Sequence, residues 1–185
     1  MGSVVNQSLS INEPKFVDYA TKFRTDFLDI YLSSKCVFFV NGMAGFASVP
    51  RLFHRPVAHV NFIPIQKYGP TDSNELIIPK KLWHIKDRRF ITFREIFDTG
   101  IGRIVETEKY INAGIEPIEN TPEEISAIVK EMEERIRGEW ETTDDDDELQ
   151  RRFNSLYNAN RTAHEPNGRI RIGTMFLRQN IELLE

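Results

Sequence analysis

Apolar side chains recur at spacings of three and four residues near the start of the chain, between Phe16 and Leu32. This period predicts an amphipathic helix with Asp26 and Asp29 on its solvent-facing side. Its apolar positions are Phe16, Tyr19, Ala20, Phe23, Phe27, Ile30 and Tyr31. Residues 1–14 are polar and have no period, so they predict a flexible lead-in to a single domain over residues 15–185.

Two short apolar runs, Cys36–Val40 and Pro56–Asn61, predict strands that are buried on both faces, as in a parallel sheet. A turn of small residues and the segment Phe46–Phe53, which we expect to be helical, lie between them. Pro50 has no N–H to donate, so this helix is either kinked there or begins late, near Ser48. The order strand, helix, strand predicts a compact right-handed crossover between parallel strands.

The clearest helix start in the chain is Thr121. Its hydroxyl can accept from the first turn, Pro122 fits that turn without losing a hydrogen bond, and Glu124 completes a capping box. We therefore expect Glu123–Arg137 to be the most regular helix of the protein.

The remaining segments carry weaker patterns. Turn-forming residues predict a loop over 65–80, and Pro117 restricts residues 115–118 to a sheet edge. The other predicted elements are a short helix capped by Thr92 and running through Phe97, a helix Glu148–Asn160 capped by Asp147, and a last short helix Met175–Leu184.

The chain has 185 residues, and its 24 basic and 28 acidic side chains give a net charge of −4. This balance argues against nucleic-acid binding driven by overall charge. Cys36 is the single cysteine, which excludes an internal disulfide and fits a reducing compartment. The sequence has neither an apolar run of roughly 18 residues nor the features of a signal peptide. We therefore expect a cytoplasmic protein with no membrane span and no nucleic-acid partner.

The residue types and their spacing indicate neither a metal site nor a catalytic side chain. The histidines show no spacing typical of metal ligands, so we expect structural roles for them; they are His54, His59, His84 and His164. The acidic run Asp144–Asp147 is typical of a solvated helix entry. The sequence also lacks a nucleophile elbow, a P-loop and a complete dinucleotide-binding fingerprint.

The turn after the first predicted strand, Asn41–Phe46, is the candidate binding site. Gly42 and Gly45 can adopt backbone angles that other residues avoid, and they let a ligand come close to the main chain. The helix that follows directs free N–H groups at the turn, which favours a phosphate. The turn also lies at the carboxyl end of a parallel strand, where open α/β sheets bind ligands. A tight structural turn would have the same pattern, so both interpretations stay open.

Several segments, in this order along residues 16–184, resemble the C-terminal part of a bacterial family of glycosyltransferases found with surface-polysaccharide genes. The segments that carry the resemblance are Asp26–Val40, Gly45–Phe46, Val49–Phe53, Arg55–Val57, Val60–Pro64, Ile78–Leu82, Thr92–Ile96, Ile118–Ile125 and Leu149–Phe153.

This resemblance implies a GT-B architecture, in which two Rossmann-like domains face a cleft and the C-terminal domain binds a nucleotide sugar. In related proteins the turn commonly contains Ser-Gly and contacts the donor diphosphate. Met43 and Ala44 stand where hydroxyl side chains are usual, so the backbone donors remain and side-chain donors do not. The implied nucleotide-sugar-binding residues are Asn41, Gly42, Met43, Ala44, Gly45, Phe46 and Asn61. Asn61 could donate to the nucleotide or could cap the turn. No cofactor is implied beyond the donor substrate.

A two-domain enzyme of this type needs roughly twice this length. We therefore expect a fragment, a truncated reading frame or one half of a split protein. The missing half would supply the catalytic base, and that half or another glycan-assembly protein would be a partner. A sugar-nucleotide epimerase and a non-catalytic remnant or subunit are the alternative functions. The expected fold is α/β, with a small, incomplete Rossmann-like parallel sheet, flanking helices and additional C-terminal helices.

Overall fold

The computed structural model describes residues 5, 7–11, 13–42, 45–66, 74–160 and 170–185, and it has an α/β fold with two three-stranded sheets and flanking helices. Parts of the predicted lead-in (1–4, 6 and 12) and of the predicted loop (67–73) lie outside the described residues. The strands are β1 Phe39–Asn41, β2 Val57–Phe62, β3 Glu75–Pro79, β4 Lys81–His84, β5 Arg89–Phe90 and β6 Ile115–Ile118. The α-helices are α1 Tyr19–Lys22, α2 Asp26–Lys35, α3 Ser48–Leu52, α4 Phe93–Asp98, α5 Thr107–Asn112, α6 Pro122–Arg137, α7 Asp144–Ala159 and α8 Thr174–Gln179.

The first sheet is parallel, in the order β1-β2-β3. Phe39 pairs with Val57, which confirms that the first two predicted strands are adjacent and parallel with a helix between them. A 3-10 turn over Gly45–Ala47 precedes α3, which begins at Ser48. The late start is therefore the correct alternative for Pro50, which occupies the first turn, where a helix leaves N–H groups unpaired in any case.

Strand β3 corrects the loop predicted over residues 65–80. All five of its residues are buried, and it pairs in parallel with β2. The sequence conceals it because only three apolar, strand-forming residues stand between Glu75 and Pro79, and because the strand begins with the acidic side chain of Glu75. That side chain is acceptable in the interior only because other elements bring it partners.

Helix α6 packs across β2 and β3 and carries much of the core. Ile128 and Met132 are almost completely buried on it. The chain just before α8 packs closely on the same core, since a Cβ at Gly173 would lie 3.0 Å from Ile78 Cγ2 and 3.6 Å from Ile128 Cγ1. The predicted cap is confirmed, since Thr121 Oγ1 accepts from Glu124 N at 3.2 Å and the Glu124 carboxylate accepts from Thr121 N at 3.0 Å.

The second sheet is antiparallel, in the order β5-β4-β6, with Pro117 in the edge strand β6, as its missing N–H requires. Helices α4 and α7 join through an aromatic cluster. Its rings, with centroids between 5.0 and 6.4 Å apart, are Phe93, Phe97, Phe153 and Tyr157.

Two predicted helix boundaries toward the C-terminus were wrong. Thr143, not Asp147, caps α7, because its hydroxyl accepts from Asp146 N at 3.3 Å in a complete capping box. The acidic run therefore forms the first turn of that helix. The predicted helix Met175–Leu184 is divided into α8 and a 3-10 segment Ile181–Leu184, with Asn180 between them.

The predicted helix Phe16–Leu32 was also wrong, both in extent and in orientation. It is replaced by α1 and α2, and α2 exposes Phe27 and buries Asp29. Asp29 is buried because it accepts from Tyr19 Oη at 2.8 Å and pairs with Arg24 at 2.9 Å. None of the helices in the described ranges is long and apolar enough to cross a membrane.

Candidate functional site

The predicted turn follows β1 at the carboxyl edge of the parallel sheet. Asn41 ends β1 with a buried side chain, Gly42 follows it, and the 3-10 turn that leads into α3 begins at Gly45. Met43 and Ala44 lie outside the described residues. Sheets of this kind bind ligands at this edge, because the loops and helix starts after parallel strands converge there.

Gly42 and Gly45 both stand in open space. A Cβ built on either one would meet nothing within 4 Å, and neither backbone has a positive φ. Their conformational freedom is therefore not what this turn uses. What the two glycines themselves provide is space, since neither places a side chain between a ligand atom and its own backbone.

Phe46 and Ser48 hold the second half of the turn against the sheet. The ring of Phe46 packs on Phe39 of β1 at a centroid distance of 5.9 Å. Ser48 Oγ donates to Gly45 O at 2.8 Å. The turn therefore has fixed ends on both sides, which limits the entropy that a ligand would have to remove on binding.

A buried polar network begins at Asn41, the residue that ends β1 just before this turn, and extends across the sheet to Arg51 of α3. Asn41 Nδ2 lies 3.5 Å from His59 Nδ1, and His59 Nε2 lies 3.0 Å from Glu75 Oε2. Both contacts are satisfied when the ring carries a proton on Nε2 and accepts the amide hydrogen of Asn41 on Nδ1. Each of the three strands contributes one member, so the network links the sheet across its full width.

Arg51 connects this network to the crossover helix. Its Nε and Nη2 donate to the two oxygens of Glu75 at 2.7 and 2.6 Å, and the carboxylate is 1% exposed against 31% for the arginine side chain. A two-point pair of this kind is strong and directional. Because Glu75 balances the charge of Arg51, an anion at the turn would depend chiefly on backbone N–H groups.

The sequence missed this network for a specific reason. His59 was expected to be structural, which fits its place in the network, but Glu75 fell inside a predicted loop and Arg51 was not singled out. One feature of the sequence could have indicated the network. An acidic side chain that directly precedes a fully apolar run needs a cationic partner if the run is buried.

Asn61 forms its polar contacts with the lead-in to α6. Its backbone N–H donates to Asn120 Oδ1, and its own Oδ1 accepts from Asn120 N, both at 2.6 Å. Asn120 Nδ2 also donates to Pro79 O at 2.9 Å. This reciprocal pair joins the carboxyl ends of β2 and β3 to α6, so these hydrogen bonds of Asn61 position α6 and do not cap the turn Asn41–Phe46.

A cleft of about 480 Å³ opens at the same edge of the sheet. Ile63 and Pro64 directly follow β2, and Lys80 directly follows β3. The lining residues are Ile63, Pro64, Lys80, Ile104, Val105, Thr107, Tyr110 and Pro117. Tyr110 Oη donates to Ile104 O at 3.0 Å, and burial raises the pKa of Tyr110 to about 12, so this side chain stays protonated. The volume is within the range of small-molecule sites.

Metal ligation finds no support in the described part of the chain, which holds no group of three or more His, Cys, Asp or Glu side chains placed to share an ion. Comparison of the chain with protein-family models, curated proteins and solved structures finds no match. The fold and the site define an α/β protein with an open turn at the carboxyl edge of a small parallel sheet.

Proposed function

We propose that this chain is the nucleotide-sugar-binding portion of a GT-B-type glycosyltransferase that acts in surface-glycan assembly. The observation that carries the proposal is the turn after β1, where Gly42 and Gly45 place no side chain over their own backbone at the carboxyl edge of the parallel sheet. The ordered resemblance from Asp26 to Phe153 supports it independently.

The turn would act on the leaving group. Glycosyl transfer breaks the bond between the anomeric carbon and the diphosphate oxygen, and the electron pair of that bond goes to the diphosphate. Backbone N–H groups around Gly45 would stabilise the charge that develops there, and they need no reorganisation during the reaction. The network of Asn41, His59 and Glu75, which begins at the end of β1, would keep these donors in position.

The cleft between Ile63 and Tyr110 would receive the nucleoside of the donor. It lies at the same edge as the turn, its walls are largely apolar, and Thr107 offers a polar group for orientation, whereas the Lys80 ammonium is paired with Glu119. A heterocyclic base has the flat apolar faces and polar rim that such a site accommodates.

Titration with uridine diphosphate tests the turn. Gly45→Val places a branched side chain in the open space that the phosphate needs, so we expect affinity to fall by about tenfold or more. Met43→Ala is the matched control and should leave the affinity within about twofold, because backbone donors dominate. Asn61→Ala should also have little effect on binding beyond any loss of stability. Equal affinity in wild type and Gly45→Val, with both proteins folded, would contradict the proposal.

Activity assays separate the enzymatic alternatives. A transferase leaves the sugar unchanged unless an acceptor is supplied, whereas an epimerase interconverts the nucleotide sugar without one. Absence of nucleotide binding by the folded chain would favour a non-catalytic subunit.

A further inference from the structure

A second cavity, of about 270 Å³, lies at the amino edge of the parallel sheet, at the opposite end of the strands from the candidate turn. One wall is formed where the chain enters β2 and β3, and the other by the C-terminal turns of α6. Arg171, which directly precedes the residue that bridges to β3, also lines it. We call this space the amino-edge cavity.

Three side chains give the amino-edge cavity an apolar surface. Leu76 of β3 and Met132 of α6 are 2% and 3% exposed, and Ile136, one turn after Met132, is 40% exposed. The apolar surface therefore extends from the core to the solvent. A ligand with an aliphatic part can cover it and remove that area from water.

Glu75 is the acidic residue among the described lining residues, and it does not offer its carboxylate to the cavity. Its side chain is 1% exposed, and its Oε2 lies 2.6 Å from Arg51 Nη2 and 3.0 Å from His59 Nε2. Because side chains alternate between the faces of a strand, Leu76 takes the α6 side and Glu75 the α3 side. An anion in the cavity therefore meets no exposed carboxylate from this strand.

Arg135 contributes a guanidinium that is already held in place. Its Nε donates to Glu131 Oε1 at 2.9 Å, and its guanidinium carbon lies 5.1 Å from the centre of the Trp140 ring. Glu131 is fixed in turn, since it accepts from Thr174 N at 2.7 Å. No acceptor for Arg135 Nη1 occurs among the described residues, and the side chain is 23% exposed. A ligand that accepts from Nη1 would therefore lose little affinity to ordering of this side chain.

Arg171 brings a second guanidinium to the cavity from a distant part of the chain. Its carbonyl oxygen accepts from Ile77 N at 3.0 Å, and Ile172 forms a parallel bridge with Ile77, so its backbone is attached to β3. The cavity thus combines guanidinium donors with an apolar surface. Since Glu131 balances the charge of Arg135, directed N–H groups contribute more to the choice of ligand than net charge does.

We propose that the amino-edge cavity binds a small monocarboxylic acid with an aliphatic body. Its carboxylate accepts from Arg135 and Arg171, and its aliphatic part packs on Met132 and Ile136. The two coplanar oxygens of a carboxylate match the planar fork of a guanidinium. The volume lies just below the roughly 300–1,000 Å³ of typical small-molecule pockets, which favours a short chain. This inference goes beyond the proposed function and does not depend on it, because the cavity and the turn lie at opposite edges of the sheet.

Nuclear magnetic resonance of the full chain with methyl-labelled methionine tests the site without any substitution. We expect hexanoate to shift the Met132 methyl signal in a saturable way and to leave that of Met175, outside the lining, in place. Met132→Leu assigns the signal. Hexanol has the same body without the charge, and inorganic phosphate has charge without the body, so each should bind about tenfold more weakly or worse. Absence of a saturable shift with hexanoate would overturn the proposal, as would equal or tighter binding of hexanol or phosphate.

Two variants test the arginines. Arg171→Gln removes one guanidinium, and Arg135→Lys removes the planar fork but keeps a cation beside the buried Glu131 carboxylate. We expect each to weaken hexanoate binding by about tenfold, with folding verified by circular dichroism. Arg137→Gln is the matched control, since Arg137 pairs with Glu133 on the surface of the same helix, and it should change the affinity by less than about twofold. Unchanged affinity in both folded cavity variants would overturn the proposal.

Discussion

Arg51 and Glu75, 24 residues apart in sequence, form a two-point ion pair that joins the crossover helix α3 to strand β3. The strand that α3 directly precedes is β2, so this pair links α3 to the next strand along the sheet. The pair therefore holds α3, the helix that follows the candidate turn, against the parallel sheet.

Removing the arginine should destabilise the protein strongly. Arg51→Met leaves the Glu75 carboxylate buried without its cation, and we expect the free energy of unfolding to fall by about 3 kcal/mol. Urea denaturation followed by circular dichroism measures this. Arg137→Met is the control, because its ion pair with Glu133 is exposed and should contribute at most about 0.5 kcal/mol. Similar effects of the two changes would contradict the importance of the buried pair.

Thr121→Ala should shorten or fray the start of α6. The hydroxyl that accepts from Glu124 N is lost, and the usual cost of such a cap is about 1 kcal/mol. Thermal and urea unfolding midpoints measure the change. Ser126→Ala, on the exposed side of the same helix, should be neutral or slightly stabilising because alanine has the higher helix propensity. An unchanged midpoint in Thr121→Ala would count against the cap.

Stability should depend on Asp146 in acid. The Arg178 guanidinium, bonded to both carboxylate oxygens at 2.6 and 2.8 Å, lowers the pKa of Asp146 from 3.8 to about 2. Because the pKa is lower in the folded protein, the contribution is complete above about pH 4 and is lost as the pH falls to about 2. Because the Arg178 side chain is 42% exposed and solvent screens the pair, we expect a contribution of about 1 kcal/mol at neutral pH.

Comparison of wild type with Asp146→Asn checks this pH dependence. The difference in unfolding free energy should be largest at pH 5 to 7 and should shrink steadily toward about pH 2. Asp147→Asn, at an exposed position in the same helical turn, should show a smaller difference. A constant difference at every pH would mean that the ion pair does not account for the effect.

Filling the cleft should separate nucleoside binding from phosphate binding. Val105→Trp adds a ring to the wall of the cleft at a half-exposed position, so the fold should tolerate it. We expect affinity for uridine diphosphate to fall by about tenfold and affinity for pyrophosphate to stay unchanged. Ile111→Trp, exposed outside the cleft, is the control. Equal losses for both ligands would contradict the assignment of the cleft to the nucleoside.

The position of the candidate turn could be predicted from sequence because the residues that indicate it are adjacent in the chain. A short apolar run, small residues and a second apolar run predict the turn between β1 and β2, and they did so correctly. The buried polar network could not be predicted in this way. Asn41, His59 and Glu75 come together only through the pairing of three strands, and no spacing along the chain reports that pairing.

Helix α2 is a second case in which the sequence pattern does not show the tertiary contacts. Its period was visible in the sequence, but its contacts with α3 and Tyr19 bury Asp29 and expose Phe27. Periodicity identifies an apolar side of a helix without showing what, if anything, covers that side.

The sequence by itself determined several element ends that are set by neighbouring residues, although the equally local cap at Thr143 was missed because the four aspartates that follow it offered a competing cap. The capping boxes at Thr92 and Thr121 and the start of α3 beside Pro50 depend on hydrogen bonds and backbone angles within four residues. Only the tertiary structure decided that Glu75 belongs to a buried strand and that α2 presents its apolar side outward. Whether a charged side chain is buried, or an apolar side chain exposed, depends on elements that are distant in sequence. The ion pairs and the burial that decide this form only when the chain has folded.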